Sequence, residues 1–210
     1  MKKWLTAALA LLFLGFLSGC APDMRHRPTE LERLEAAALA ADREAGRRAA
    51  DARNARIRSG GAQERELDFD ELLLLARFLD AAVGGPEVSG ELRLCTGEVV
   101  LNRVASPEFP DTLEGVLSER GMFPLSQRPE ALEGRMPSRE SVQAALELLL
   151  GRRMLARGVV YLGERRYGGG VYATFCDRKQ RFTYFCLTEH PELYPPEDET
   201  DPVDAPGEIG

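Results

Sequence analysis

The spacing of apolar positions in the middle of the chain predicts three helices. Asp68, followed by a glutamate three residues later, begins a helix that runs strongly apolar from Leu72 to Val83. A second helix is expected from about Gly90 to Ala105, and it is apolar on nearly every side. That pattern is typical of a buried central helix. Ser138 is expected to cap a third helix, which covers Val142 to Leu150.

After Gly158 the chain becomes rich in Val, Tyr, Thr and Phe, residues that favour strands. Three short strands are predicted, at Val159 to Leu162, Val171 to Cys176 and Arg181 to Leu187. We expect the last two to form a hairpin around residues 177–180. Helices first and a small antiparallel sheet afterwards indicate an α+β fold.

The first residues of the chain predict export. Lys2 and Lys3 precede an apolar run from Trp4 to Leu17, which is too short to cross a bilayer comfortably, and small residues then lead to Cys20. This pattern resembles a bacterial lipobox, in which Cys20 becomes the lipidated first residue. The alternative is an ordinary cleaved signal that happens to contain a cysteine. Lipidation would anchor the protein at the outer side of the cytoplasmic membrane, in the cell envelope.

The segment after the signal predicts a helical spacer. It is rich in Ala, Arg, Glu and Leu, which favour helix. Leu31, Leu34 and Leu39 form only a thin apolar stripe, so we expect a solvated stalk. The last residues are proline and acidic residues without any base, and we expect them to be disordered. The predicted parts are therefore a signal peptide at 1–19, a stalk at 20–65, one globular domain at 66–194 and a tail at 195–210.

The charge of the chain argues against nucleic acid as a partner. The formal net charge is -7, and removing Lys2 and Lys3 with the signal changes it to -9. Phosphate contact needs clustered Lys and Arg, which an acidic protein lacks. Cys176 and Cys186 lack any metal-like set of partners, and no motif for a nucleotide or a nucleophile stands out. No cofactor and no metal are expected.

One run of the predicted central helix and its following turn resembles a family signature. Residues 98–110 read Glu-Val-Val-Leu-Asn-Arg-Val-Ala-Ser-Pro-Glu-Phe-Pro, and residues 111–117 continue with Asp-Thr-Leu-Glu-Gly-Val-Leu. This is similar to the "VVLNRV-SP-FP-T--GV" stretch of the SleB-type cell-wall hydrolases, the spore-cortex-lytic family. The resemblance extends over roughly residues 70–185. It implies a lysozyme-like helical core and a small sheet, with peptidoglycan as the partner.

The resemblance also implies a catalytic glutamate, which this chain lacks. Cleavage of a glycan needs a carboxylic acid to protonate the departing oxygen. A lytic reaction can work with one such group, because the sugar's own hydroxyl attacks the anomeric carbon. The family carries this glutamate in an "AEA-GE" motif at the end of the first domain helix. Residues 79–85 read Leu-Asp-Ala-Ala-Val-Gly-Gly instead, so the position falls at Ala81 or Ala82.

Two carboxylates are candidates for a replacement acid. Asp80 stands next to the expected position, but it is one methylene shorter, and a displacement of about 1 Å can cost on the order of a hundredfold in rate. Its alternative role is a solvated residue near a helix end. Glu98 lies one turn before Asn102 on the same face of an apolar helix. Burial would favour the protonated carboxyl that a general acid needs. The alternative is a structural glutamate bonded to Asn102, Arg103 or a loop amide.

Substrate contacts are implied by the resemblance at Asn102, Phe123 and Tyr161. Other family positions are altered. The "QF-P" segment reads Met-Phe-Pro at residues 122–124, and the histidine of "GNH-FY" is missing from residues 180–185. The sequence therefore leaves two functions open. One is a lytic-transglycosylase-like cell wall hydrolase, and the other is an inactive relative that binds peptidoglycan as a scaffold or regulator.

Three cysteines remain when Cys20 is set aside, an odd count that allows one disulfide and one free thiol. Cys95 lies on the predicted buried helix and resembles a small apolar residue. Cys176 and Cys186 flank the predicted hairpin. We expect these two to form the disulfide.

Overall fold

The computed structural model describes residues 28–60, 64–177 and 180–194. Within these ranges the chain forms seven α-helices: α1 (Glu30–Leu39), α2 (Arg43–Gly60), α3 (Phe69–Val83), α4 (Gly90–Val104), α5 (Leu113–Ser118), α6 (Pro129–Leu132) and α7 (Arg139–Leu149). The same ranges contain three strands: β1 (Val159–Gly163), β2 (Gly170–Cys176) and β3 (Phe182–Leu187). Helices followed by a small antiparallel sheet confirm the α+β prediction.

The predicted N-caps define where the domain helices begin. The Asp68 side chain accepts hydrogen bonds from the backbone amides of Asp70 and Glu71 at the start of α3. The Ser138 hydroxyl accepts one from the amide of Ser141 at the start of α7. Each cap satisfies an amide that the first helical turn leaves without a partner, so both boundaries follow from local chemistry.

Helix α4 is the centre of the core, as its apolar pattern predicts. Cys95, Val99 and Val100 are completely buried. Gly97 allows the neighbouring helices to approach, because a Cβ at this position would lie 2.6 Å from a methyl group of Leu148 on α7. Helix α4 therefore fixes the packing of the helices around it.

The sheet has the order β1-β3-β2 and is antiparallel throughout. Its central strand, β3, places Tyr184 opposite Gly163 on β1 and Thr174 on β2. Phe185, the next residue, is fully buried and contacts the ring of Phe175 edge-on, with centroids 5.4 Å apart. One face of the sheet therefore closes the helical core.

The segment expected to form a solvated stalk packs against the domain. Helices α1 and α2 are present, but they form a hairpin that packs on the domain instead of standing in solvent. Leu34 is completely buried, and Ala38 and Ala50 are buried with it in the same core as α3 and α7. At Gly46 a Cβ would lie 2.1 Å from the ring of Phe69, so this helix touches α3 almost directly.

Small side chains explain why the packed hairpin was missed. Leucines are few in this segment, and most of the buried positions of the two helices are alanines, which form an apolar face without a leucine stripe. The chain reverses at Ala41, which takes a positive φ of 51°. Asn54 on α2 then binds both the amide and the carbonyl of Leu67, at 3.0 and 2.9 Å. These bonds attach the hairpin to the start of α3.

The predicted disulfide is also corrected. Cys95, Cys176 and Cys186 are all free thiols. In the sheet, Cys176 lies opposite Phe182, whereas Cys186 lies opposite Val171. Four residues of extended strand separate the two positions, which is about 13 Å. A disulfide requires Cα atoms within about 7 Å, so the register excludes this pair.

Thiol labelling should distinguish these cysteines. Cys176 is exposed, while Cys95 and Cys186 are buried. Burial, assisted by the charge of Glu98, raises the pKa of the Cys95 thiol to about 12, so little reactive thiolate forms there. We expect an alkylating reagent to modify Cys176 in the folded protein, and the other two only after unfolding. Mass spectrometry of the peptides checks this, and a peptide joining Cys176 to Cys186 would contradict it.

Several predictions fall on residues that the structure does not describe. The signal peptide, the lipidation of Cys20 and the disorder of residues 195–210 all lie outside the described ranges. Among the helices that are described, none has the length and apolar character to cross a membrane.

Candidate functional site

A groove of about 750 Å³ lies between the helical core and the sheet. One wall is the end of α3 and the loop that leads into α4, residues 82–89 together with Leu92. The opposite wall comes from the β2-β3 hairpin and from Glu164, which directly follows β1. The groove therefore lies at the end of the first domain helix, where the resemblance expects the acid.

The residue at that position is an alanine. Ala82 lines the groove and offers only a methyl group. Asp80, the first candidate, is engaged elsewhere: its Oδ1 accepts hydrogen bonds from the Ser138 amide at 3.0 Å and the Ser141 hydroxyl at 3.3 Å. Asp80 thus stabilises the start of α7, and it is not among the residues that line the groove. Asp80 is thus partly buried and held by these two bonds, and a catalytic role for it stays a prediction.

Glu98, the second candidate, is completely buried. Its Oε2 accepts a hydrogen bond of 2.7 Å from the Met154 amide, in the segment that leads to β1. In this position Glu98 does not line the groove, and its role as the general acid stays a prediction. The bond to a loop amide agrees instead with its alternative role as a structural glutamate.

Asn102 belongs to the same anchoring system. Its amide nitrogen donates to the carbonyls of Ala156 and Val159, at 3.0 and 3.1 Å. Glu98 and Asn102, one turn apart on α4, thus both hold the backbone segment that leads into β1. The two residues share a face of α4 and both take part in this anchor, and a substrate contact at Asn102 stays a prediction.

Phe123 and Tyr161 surround Arg103 rather than the groove. The Arg103 guanidinium lies 5.1 Å from the ring centroid of Phe123 and 5.7 Å from that of Tyr161. A third ring, Phe109, is also at 5.1 Å. The Arg103 Nε donates to the carbonyl of Val160 at 2.5 Å. Phe123 and Tyr161 therefore pack around a buried cation, and substrate contacts at these two residues stay predictions.

Burial controls the electrostatics of this cluster. It lowers the pKa of the Arg103 guanidinium to about 10, and the negative charge of Glu119 opposes that decrease. The pKa of the Tyr161 hydroxyl is raised, chiefly by desolvation and then by the charge of Glu108. Three aromatic faces partly replace the water that Arg103 loses. The cluster joins α4 to β1 and supports the sheet wall of the groove.

Three carboxylates do line the groove: Glu87, Glu164 and Asp177. Asp177 is held by Arg181, whose guanidinium lies 2.7 Å from one carboxylate oxygen and whose amide donates at 2.9 Å to the other. Glu87 and Glu164 are exposed, and no hydrogen bond or ion pair of either is found within the described ranges. These two are the groove carboxylates available to a substrate.

Sequence reasoning missed Glu164. A signal was present, because a glutamate directly after an apolar strand marks the point where the chain leaves the core. What the sequence could not reveal is that this strand end faces the end of α3.

No metal site is found in the described part of the chain. No three carboxylate, histidine or cysteine side chains there are grouped closely enough to hold an ion.

A protein-family model described as Cell Wall Hydrolase matches residues 89–184. The match begins at the Ser89 N-cap of α4 and ends at Tyr184 on β3, so it includes the anchors of α4, all of β1 and β2, and the sheet wall of the groove. Over these residues the chain is similar to that family. Residues 82–88, which form most of the opposite wall, precede it. No curated protein and no solved structure matches the chain.

Proposed function

We propose that the protein is a cell wall hydrolase that binds peptidoglycan glycan strands in the groove and cleaves them. The observation that carries this proposal is the position of the groove, which lies beside the family-matched sheet and opens at the end of α3. Peptidoglycan is the substrate that the family resemblance implies, and the groove walls come from the matched sheet and from the end of α3. Export, expected from the N-terminal pattern, would bring the domain to this substrate.

Glu164 is the best-supported candidate for the acid. It belongs to the wall opposite Ala82, so a sugar bound between the walls would lie against it. It directly follows β1, whose backbone is held by Asn102 and Arg103 on α4. A group at the end of a fixed strand is better positioned for proton transfer than Glu87 on a loop. Its carboxyl group would protonate the departing glycosidic oxygen, and its carboxylate would then accept the proton of the attacking sugar hydroxyl.

A second function is favoured by one observation, the methyl group of Ala82. A groove that keeps its shape but carries no acid on α3 would bind glycan strands without cleaving them. Glu164 is exposed, whereas a general acid benefits from a partly apolar surrounding that keeps it protonated. A bound glycan that covers the groove would shield Glu164 from water and supply that surrounding. Without closure, the protein would serve as a peptidoglycan-binding scaffold.

One experiment separates the two functions. The full-length protein is incubated with purified peptidoglycan sacculi, and the soluble fraction is analysed by mass spectrometry while the pellet is assayed for bound protein. Cleavage by the lytic route should release fragments with anhydro ends. Binding without fragments would support the scaffold, and protein that neither sediments with sacculi nor releases fragments would contradict both functions.

A further inference from the structure

Two aromatic side chains form a continuous surface beside the groove. Phe182 and Tyr184 alternate along β3, so they share a face of the sheet. Their rings are stacked, with centroids 6.2 Å apart and planes inclined by 22°. Phe182 is 46% exposed and also lines the groove. The stacked pair therefore begins in the groove wall and continues away from it along the strand.

A third ring extends this surface. The register places Gly163 directly opposite Tyr184, and directly paired residues point to the same face. A Cβ on Gly163 would lie 3.0 Å from Cε2 of Tyr167. The Tyr167 ring therefore lies over Gly163, on the same face as Tyr184, and it is 51% exposed. The absence of a side chain at Gly163 is what allows the ring to lie there.

An arginine completes the arrangement. The Arg166 guanidinium lies 5.5 Å from the centroid of Tyr184, at a distance that favours a cation–π contact. Arg166 is exposed, so most of its donors face solvent. Exposed apolar surfaces of this kind, with a polar group at their edge, usually mark a binding site. We call Phe182, Tyr184, Tyr167 and Arg166 the aromatic platform.

We infer that the aromatic platform is a second sugar-binding subsite, which receives the part of a glycan strand that leaves the groove past Phe182. This inference rests on the proposed function. Pyranose rings present flat C–H faces that pack on aromatic rings, and Tyr184 and Tyr167 offer two such rings side by side. Arg166 can donate to the acetamido carbonyls or carboxylates that peptidoglycan carries beside its sugars. The platform would lengthen the bound segment without taking part in the chemistry.

Binding measurements with glycans of two lengths test this inference. The full-length protein is titrated with peptidoglycan glycan fragments, a short one that fits within the groove and a long one that extends past it. Tyr184→Ala and Tyr167→Ala should each weaken binding of the long fragment about fivefold to tenfold, which corresponds to one lost aromatic contact. Binding of the short fragment should stay unchanged, and both variants should remain folded. Tyr184→Phe, which keeps the ring, should bind both like the unmodified protein.

Leu125→Ala is a matched control, because Leu125 is 72% exposed and does not belong to the platform. If both tyrosine variants bind the long fragment as tightly as the unmodified protein, the platform is not a subsite, although the groove remains one. If they instead lose contact with another envelope protein at unchanged glycan affinity, the platform is a protein interface and the inference is wrong. An unmodified protein that binds neither fragment overturns the proposed function and the platform together.

Discussion

Glu164→Gln should abolish the release of anhydro-ended fragments from peptidoglycan, lowering the rate by at least about a hundredfold. Glutamine keeps the shape of the side chain and its hydrogen-bonding capacity, but it cannot deliver a proton to the departing oxygen. Because Glu164 is exposed and makes no ion pair within the described ranges, the substitution should leave the melting temperature unchanged. Sedimentation with sacculi should also persist, since the rest of the groove remains. Fragment release, sedimentation and melting are measured on the same preparation.

Two matched substitutions make this result specific. Glu87→Gln removes the other available carboxylate of the groove, and Glu140→Gln removes an exposed carboxylate in the first turn of α7. Glu140→Gln should retain full activity. If Glu87→Gln loses activity and Glu164→Gln retains it, the acid lies on the loop wall and our assignment is wrong while the function stands. If all three variants release fragments like the unmodified protein, neither Glu87 nor Glu164 is the acid.

Local signals were sufficient for the domain helices and strands. Asp68 and Ser138 mark helix starts because a side-chain oxygen satisfies an orphan amide, a requirement that does not depend on the rest of the fold. The strands were found because β-branched and aromatic residues replace the helical pattern after Gly158. The predicted strand bounds differ from the observed ones by a single residue at one end of each strand. Both kinds of signal lie within a few residues of the element that they predict.

Long-range packing was not predictable in the same way. The hairpin of α1 and α2 depends on the fit between Gly46 and the ring of Phe69, which are 23 positions apart. No local pattern indicates that these two surfaces meet. The disulfide prediction failed for a related reason, because β-strand register decides which residues are opposite and a shift of a few positions separates two thiols completely.

The candidate site shows the same contrast between local signals, which the sequence contains, and long-range packing, which it does not. Chemistry identified Glu98 as an unusual residue, since a carboxylate on an apolar helix needs a specific reason. The sequence could not tell whether that reason is catalysis or anchoring, because both require a desolvated carboxylate with an amide nearby. In the structure Glu98 accepts a hydrogen bond from the Met154 amide inside the core, whereas Glu164 lines the groove. The residue type indicates the chemistry, but only the packing of the elements shows which carboxylates line the groove.

Glu98→Ala should lower the free energy of unfolding by about 2–4 kcal/mol, because it removes the acceptor of a buried amide and leaves a cavity in the core. Glu98→Gln should cost less, about 1 kcal/mol, since its amide oxygen can still accept from the Met154 amide at the same position. Fragment release per folded molecule should stay close to that of the unmodified protein in both variants, because Glu98 does not reach the groove. Urea denaturation gives the stabilities, and activity is normalised to the folded fraction. The opposite pattern for Glu98→Gln, unchanged stability with lost cleavage, would make Glu98 the general acid and require a conformation in which α4 exposes it.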